Sequence, residues 1–281
     1  MGDFLCLMIE YIMKTFLKWA GNKSSIVKII EPHLKGKTLI EPFAGTCAVS
    51  LNTAFDSYIC NDINPDLIKM YDLIKSDVDN FVKSSLYYFY NGNSEKRYYE
   101  LRELYNTTPD INEKAYLLLY LNRHCFNGLT RYNLKGKFNV PFGRYTNPYF
   151  PENEIREFHQ YTKSKFSFTS QAYQEIFKLA DKNTVIYCDP PFSPLTNTAD
   201  FSKYAKSDFV TSDHMELKDL IVSTVNQKKC NVIISNHDTD FTRDLYKDAD
   251  EIAAFDVKRT ISSNVNKRNR APELLAIYKG K

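Results

Sequence analysis

The sequence lacks paired cysteines, long apolar runs and a strong net charge. Its six cysteines are spread over 281 residues. They form no CxxC pair and have no histidine at ligand spacing, which argues against a zinc site and predicts reduced, mostly buried thiols. The apolar opening MGDFLCLMIEYIM carries Asp3 and Glu10 without a basic leading region, so it does not read as a signal peptide. No other apolar run approaches the roughly 20 residues of a membrane span. We therefore expect a cytoplasmic protein without a metal.

The charge and the aromatic content leave nucleic-acid binding open. A net charge of +3 is too small to identify a polyanion binder. However, the stretch from Arg123 to Arg144 holds three further basic residues, Arg131, Lys135 and Lys137, and no acidic one. A solvated loop would explain this run equally well. The 20 tyrosines and 19 phenylalanines exceed what a core needs, so some rings are candidates for stacking on bases.

Short apolar strands alternate with helical stretches along the chain. We predict helices from about Ala48, after Pro65, and over 171–180 and 213–228. Alternation of this kind is typical of an α/β fold with a doubly wound, mostly parallel sheet, whose ligands bind outside the carboxyl ends of the strands. The predicted strands lie in the segments KTLIEPF, SYICND, KFSFTS, NTVIYCDPP, CNVIISNHD and ELLAIYK.

Far more chain separates Asp62 from Asp189 than one crossover helix requires. We therefore predict an inserted, mainly helical domain at 69–148, with a hairpin or loop over NGLTRYNLKGKFNVPFGRY near its end. The catalytic domain would then comprise residues 1–68 and 149–281.

The sharpest motif is the run Asp189, Pro190, Pro191 and Phe192 directly after the buried strand VIYC. An ordinary Asp-Pro turn is the plain alternative. An aromatic amine such as adenine N6 is a poor nucleophile until its hydrogens are held out of the ring plane. The Asp189 carboxylate and the Pro190 carbonyl could accept those two hydrogens, and Phe192 could stack on the base. Attack on a sulfonium methyl then needs alignment more than a strong base.

Three further motifs are compatible with a cofactor site. LIEPFAG runs from a strand into a turn at Gly45, which lets a ligand approach the backbone. Asp62 ends the next strand, where a carboxylate commonly accepts hydrogen bonds from a ribose, although a helix cap would be the ordinary interpretation. FLKWAGNK places Trp19 beside two cations, and a core tryptophan is its alternative.

Together these motifs resemble the DNA adenine methyltransferases, specifically the enterobacterial and phage group that methylates GATC. The likeness runs over nearly the whole chain from about Phe16. Its markers occur in the family's order: FLKWAGNK, LIEPFAGT, NDINPDLI, LNRHCFNGLTRYNLKGKFNVPFGRY, VIYCDPPF, ISNHDT, and RTISSN followed by ELLAIYK.

The resemblance implies a Rossmann-like fold, S-adenosylmethionine as cofactor, double-stranded GATC DNA as partner, and a monomer. The matches at Lys18 and Arg131 imply contacts to the two guanines, and that at Phe126 a ring that enters the duplex as the target base leaves it. Leu129 and Pro141 match contacts to the thymine methyl, with Asn127 beside them. Arg123 and Arg144 are predicted to hold phosphates. Cofactor binding is implied for Trp19, Lys23, Phe43, Ala44, Gly45, Asp62 and Asp189.

The sequence departs from the family pattern at several positions. Thr46 and Cys47 follow Gly45 where a small residue and a glycine are usual, which predicts a slightly different backbone. Phe192 and Phe126 lack hydroxyls that relatives carry. Methylation of cytosine N4, of RNA or of a protein glutamine stays open as an alternative, as does a DNA-binding protein without catalysis.

Overall fold

Seven strands form one mixed sheet in the computed structural model, which describes residues 12–90, 92–192, 209–258 and 270–281. The strand order is β3-β2-β1-β4-β5-β7-β6, and the first five of these are parallel. The strands are β1 Thr38–Glu41, β2 Ser57–Asn61, β3 Phe166–Thr169, β4 Thr184–Cys188, β5 Asn231–His237, β6 Glu251–Lys258 and β7 Arg270–Tyr278. The predicted α/β class is confirmed.

The sheet edge at β7 and β6 differs from the sequence expectation. β7 is antiparallel to both β5 and β6. β6, with the sequence EIAAFDVK, was not predicted, because the charged Glu251 and Asp256 interrupt its apolar pattern. The marker RTISSN lies outside the described residues.

Helices cover the sheet and fill the long stretch between β2 and β3. Asn64 caps the N-terminus of the first long helix with its side-chain oxygen, and Asp77, Ser94 and Asp110 do the same for the next three. The helices are α1 Val27–Ile30, α2 Pro65–Ser76, α3 Val78–Phe89, α4 Glu95–Thr107, α5 Ile111–His124, α6 Glu152–Thr162, α7 Tyr173–Phe177, α8 Thr211–Lys228 and α9 Asp240–Leu245.

The helix predicted from Ala48 is wrong. The chain there forms only a 3-10 turn at Ser50–Asn52. Side chains take the hydrogen bonds that a helix would need, since Asn52 Nδ2 donates to the Ala48 carbonyl at 2.8 Å and Thr53 Oγ1 to the Val49 carbonyl at 2.9 Å.

The helical segment and one face of the sheet share a hydrophobic core. Leu39 and Tyr58 of the sheet belong to the same buried cluster as Leu117 and Leu121 of α5. A second cluster on the other face joins Ile186 to Leu217, Ile221 and Val225 of α8. The bounds 1–68, 69–148 and 149–281 remain a prediction, because a shared core does not by itself separate two domains.

Candidate active site

The carboxyl ends of β1, β2 and β4 meet at the middle of the sheet. β1 pairs with β2 on one side and with β4 on the other, in parallel. The chain therefore reverses its winding between β1 and β4, which is where ligands bind in doubly wound sheets. Gly45, Asp62 and Asp189 follow these three strand ends.

Lys23 forms a partly shielded ion pair with Asp189. The Nζ atom lies 2.9 Å from Asp189 Oδ1, and the two side chains are 7% and 19% exposed. Nζ also donates to the Gly21 carbonyl at 3.1 Å and lies 4.4 Å from the centre of the Phe192 ring. Asn22 caps the 3-10 helix that Lys23 begins. The FLKWAGNK and DPPF motifs, which lie far apart in the sequence, are thus in direct contact.

A serine on the neighbouring strand also holds Asp189. Ser235 Oγ of β5 lies 2.8 Å from Asp189 Oδ1, and Tyr187 OH donates to Ser235 Oγ at 3.0 Å. Both hydroxyl-bearing residues are buried. In the described part of the chain, the Lys23 and Ser235 contacts both fall on Oδ1, which leaves Oδ2 as an available acceptor. The sequence prediction missed Ser235, although its place in a polar run at the end of a buried strand is the same signal that identified Asp189.

The other three residues of the DPPF motif differ in how far they are exposed to solvent. Pro190 is buried and Pro191 exposed. The Phe192 ring packs edge-on against His237, with 4.7 Å between centroids. Phe192 thus contacts both Lys23 and His237 beside Asp189.

The turn after β1 is built around Gly45 and Asp62. Gly45 has φ +46°, and its N–H donates to Asp62 Oδ2 at 3.1 Å. A Cβ at Gly45 would lie 3.1 Å from Trp19 Nε1, a close contact that would require Trp19 to shift slightly, and the positive φ also favours glycine. Asp62 does not cap α2, since Asn64 does, and the Asn64 N–H donates to Asp62 Oδ1 at 2.9 Å. Burial raises the pKa of Asp62.

Phe43 and Ala44 form the apolar side of this turn. Ala44 is buried, and its N–H donates to the Asn61 carbonyl at 2.7 Å. Phe43 is half-buried and packs against Tyr173 and Phe209 at centroid distances of 5.3 and 5.7 Å. The predicted cofactor residues of the turn therefore lie together, with an aromatic cluster behind them.

Thr46 and Cys47 adapt to their unusual positions. Cys47 is buried and takes φ +56°, a conformation that glycine adopts more readily. Thr46 Oγ1 accepts a hydrogen bond from Asn22 Nδ2 at 3.2 Å. Burial raises the pKa of the Cys47 thiol, so that it stays protonated and unreactive. The five described cysteines are free and buried, as predicted.

Glu41 is a buried carboxyl group beneath the site. It is 3% exposed, and its Oε1 accepts hydrogen bonds from the Ser50 N–H, at 2.9 Å, and from the Ser50 hydroxyl. Burial, with Asp189 nearby, raises the pKa of Glu41 from 4.5 to about 7.

This pKa predicts a pH-dependent stability that Glu41→Gln removes. As the pH rises from 4.5 to 7, the unfolded chain loses this proton before the folded chain does, so folding stability falls and then levels off. The loss is on the order of 3 kcal/mol. Urea unfolding of both proteins over this pH range and slightly beyond it measures the loss. The glutamine variant should gain stability relative to the wild type as the pH rises, and parallel curves would contradict the assignment.

The N-terminal segment joins this site to α5. The Lys18 N–H donates to Asn122 Oδ1 at 2.9 Å, and the Lys18 carbonyl accepts from Asn122 Nδ2 at 2.7 Å. Lys18 Nζ lies 4.0 Å from the centre of the Tyr145 ring. Burial and the neighbouring Arg123 lower the pKa of Lys18. Lys18 and Trp19 are thus neighbours in the chain that face different parts of the molecule.

Residues 125–142 overlap the segment 127–145, for which the sequence predicts a hairpin or loop, and are called the hairpin below. Isolated antiparallel bridges pair Cys125 with Phe142 and Tyr132 with Phe138. Phe126 is 45% exposed at its base, and its N–H donates to the Pro141 carbonyl at 2.8 Å.

The other predicted DNA contacts lie along the same hairpin. Arg131 is exposed, and its Nε donates to Asn139 Oδ1 at 2.7 Å. Leu129 is half-buried, Pro141 is exposed, and Asn127 takes φ +55°. The structure therefore brings the hairpin residues of the predicted interface together on one element.

The two arginines predicted to hold phosphates differ in their surroundings. Arg123 Nε donates to the Tyr149 carbonyl at 2.9 Å, and its guanidinium carbon lies 5.2 Å from the centre of the Tyr149 ring. The Arg144 side chain is 79% exposed and lies 3.9 Å from Glu95 Oε1. The Arg144 side chain is therefore the more exposed to solvent and the less constrained by hydrogen bonds of the two.

A family model described as D12 class N6 adenine-specific DNA methyltransferase matches residues 19–261. The chain belongs to this family. It is also similar to proteins called DNA adenine methylase. It is 44% identical to that of Serratia marcescens, over 95% of this chain and 98% of the relative. It is 45% identical to that of Salmonella typhi, over 94% and 95%, and 43% identical to that of Escherichia coli K12, over 95% of each.

The D12 match includes Trp19, Lys23 and the three strand ends, and stops before β7. Methyl transfer requires a donor. At the turn that we predict to hold it, Gly45 takes φ +46° and its N–H donates to the Asp62 carboxylate. Within the described residues, no group of three or more histidine, cysteine or acidic side chains could hold a metal ion. No described helix is both long and apolar enough to cross a bilayer.

Proposed function

We propose that this adenine-specific DNA methyltransferase uses S-adenosylmethionine to methylate adenine N6 at GATC in double-stranded DNA. Family membership and the relatives' name support the reaction. The observation that carries the proposal is the contact of Lys23 and Ser235 with one oxygen of Asp189, at 2.9 and 2.8 Å, beside the Asp62 turn.

The cofactor would lie over the turn after β1. Its sulfonium centre supplies an electrophilic methyl group. Gly45 allows Trp19 to pack against the turn, and the Asp62 carboxylate suits the hydroxyls of a ribose. Phe43 and Ala44 provide an apolar wall, and Trp19 closes the turn from the N-terminal side. Lys23 and Asp189 complete the set of residues that we assign to the cofactor.

Asp189 and the Pro190 carbonyl would accept the two hydrogens of the adenine amine. Their pull moves the hydrogens out of the ring plane and frees the nitrogen lone pair for in-line attack. The bound cofactor would supply the methyl group, and the Asp189 carboxylate would be placed to take the proton that the amine nitrogen loses on methylation. Lys23 and Ser235 keep the carboxylate in one orientation. Pro191 stiffens the turn, and Phe192 stacks on the base.

The hairpin would read the site from the major groove. We assign Arg131 to one guanine, since its planar fork pairs with O6 and N7 together, and Lys18 to the other. Leu129 and Pro141 would contact the thymine methyl beside Asn127. Phe126, already exposed, would fill the gap left when the adenine rotates out of the duplex.

Phosphate binding and domain organisation belong to the same proposal. Arg144 would clamp a phosphate, and Arg123 would do so only alongside its bonds to backbone carbonyls. Residues 69–148 would act as the DNA-recognition domain. One chain supplies a residue for every role, which favours a monomer. The free thiols suit the reducing conditions of the cytoplasm, where cellular DNA is accessible.

Mapping of methylated bases tests the proposal. Purified protein is incubated with S-adenosylmethionine and a plasmid, and the modified bases are located by sequencing. We expect N6-methyladenine at GATC and none without cofactor. N4-methylcytosine, methylated RNA or a methylated protein glutamine would establish one of the alternatives. GATC binding without any methylation would identify a DNA-binding protein that has lost catalysis.

Arg131→Ala is expected to relax discrimination at one guanine by about 1–3 kcal/mol. The Arg131 guanidinium is exposed on the hairpin and is assigned to one guanine, so its removal should affect recognition of one base pair of the site. Competition binding across duplexes with single base changes measures the effect.

Lys135→Ala is the matched control at the exposed tip of the same hairpin. It should weaken binding to all duplexes alike and flatten the salt dependence. An unchanged base preference in the Arg131→Ala variant would refute the assignment of Arg131.

A further inference from the structure

A chain of hydrogen bonds joins the hairpin to the loop after β2. Asn64 Nδ2 lies 3.1 Å from Tyr132 OH, Tyr132 OH lies 2.8 Å from Tyr105 OH, and Tyr105 OH lies 2.6 Å from Asp66 Oδ2. Asn64 and Asp66 flank the first residue of α2, Tyr105 belongs to α4, and Tyr132 belongs to the hairpin. Three separate segments thus meet through four polar side chains.

The donors and acceptors in this chain of hydrogen bonds can be arranged in only one direction. A carboxylate only accepts, so Tyr105 donates to Asp66; Tyr132 then donates to Tyr105, and Asn64 donates to Tyr132. Tyr105 is buried, and burial raises the pKa of Tyr132 to about 12, so both phenols keep their protons. Hydrogen bonds in such a directional chain strengthen one another.

Asn64, at one end of this chain, and Tyr132, the next member, each lie beside a residue that we assign to a ligand. The Asn64 N–H donates to Asp62 Oδ1 at 2.9 Å, on the cofactor side. Tyr132 follows Arg131 directly, and its bridge to Phe138 sets the register of the hairpin on which Arg131 and Asn139 lie. Movement of the loop after β2 would therefore also displace the arm of the hairpin that carries Arg131.

We propose that Tyr132 is a positioning residue that couples occupancy of the cofactor site at Asp62 to recognition of guanine by Arg131. This inference rests on the proposed function. Coupling of this kind is reciprocal: if the cofactor tightens GATC binding, then GATC tightens cofactor binding by the same factor. Tyr132→Phe keeps the ring and its packing and removes only the hydroxyl link.

A second tyrosine provides a matched control. Tyr98 OH of α4 donates to the Val140 carbonyl on the same hairpin at 2.8 Å, and Tyr98 is buried. Arg102 supports the same carbonyl at 3.0 Å. Tyr98→Phe therefore removes a phenol hydrogen bond to the hairpin without touching the loop after β2. A merely structural role for Tyr132 would make the two variants behave alike.

The test measures the coupling factor itself, with the product S-adenosylhomocysteine as a non-reactive probe. Its Kd is measured by calorimetry with and without a GATC duplex, and the duplex Kd with and without the probe. We expect Tyr132→Phe to lower the wild-type coupling factor roughly three- to tenfold. Tyr98→Phe should leave it unchanged. An unchanged factor in the Tyr132→Phe variant, an equal loss in both variants, or no coupling in the wild type would overturn the inference.

Asn64→Ser provides a second variant in case Tyr132→Phe folds poorly. Serine still caps α2 but is too short to reach Tyr132. It should lower the coupling factor as Tyr132→Phe does, and an unaltered factor would again count against the link. Failure of the wild type to bind either the probe or GATC DNA would instead overturn the proposed function, so the two failures are distinguishable.

Discussion

Asp189→Ala is expected to reduce methyl transfer by roughly 10³-fold or more while duplex binding remains measurable. The variant loses the acceptor that holds one amine hydrogen, and no other described carboxylate takes its place beside Pro190. Single-turnover transfer of a labelled methyl group, at saturating cofactor and DNA, measures the chemical step apart from binding. Near-normal turnover would remove the proposed acceptor role.

Asp189→Asn is the matched control for charge. Removal of the carboxylate leaves Lys23, which is 7% exposed, without its ion-pair partner. Breaking a buried pair costs about 3–5 kcal/mol, and the partial exposure of Asp189 places this case at the lower end. Both variants should therefore be less stable in urea. Lys23 and Ser235 would hold the asparagine carbonyl in the place of Oδ1, so the amide NH2 group, a donor, would replace the acceptor Oδ2 and transfer should fall in this variant too. Near-wild-type transfer by the asparagine variant would contradict the assignment of Oδ2 as the acceptor.

Gly128→Ala is expected to weaken specific recognition of DNA strongly. Gly128 has φ +64°, and a Cβ there would lie 2.3 Å from Lys18 Cβ and 2.5 Å from Lys18 Cδ. The base of the hairpin must then move away from the N-terminal segment that also carries Trp19 and Lys23. Left-handed strain adds about 1 kcal/mol and overpacking about 1–3 kcal/mol. We expect specific DNA affinity to fall about 100-fold in a competition assay, with cofactor binding less affected.

Gly136→Ala isolates the steric part of this effect. Gly136 lies at the hairpin tip with φ +71°, and a Cβ there would meet nothing within 4 Å. Both variants carry the same backbone strain, so the difference between them reports the contact with Lys18. Equal losses in the two variants would show that strain alone, and not the packing of Lys18, limits recognition.

Local patterns in the sequence predicted the strands, most helices and the residues at the strand ends. Buried strands read as apolar runs stopped by polar residues, which is why Asp62 and Asp189 could be identified before the structure was known. The helix from Ala48 was wrong because Asn52 and Thr53 satisfy the backbone with their side chains. β6 was missed because its charges hide the alternation of a half-exposed edge strand.

Local sequence patterns could not predict the contacts between segments that lie far apart in the chain. Ser235 reaches Asp189 because β5 lies beside β4, and the order of strands follows from packing of the whole sheet. Tyr132 reaches Asn64 across 68 residues for the same kind of reason.

The residue types and their order along the chain were sufficient for the resemblance to adenine methyltransferases, and the family match confirms it. The folded molecule alone showed which side chains contact the DPPF motif and the Gly45 turn. Side chains far apart in sequence become neighbours only when hydrophobic burial has brought their helices and strands together, and a local pattern contains no record of that pairing.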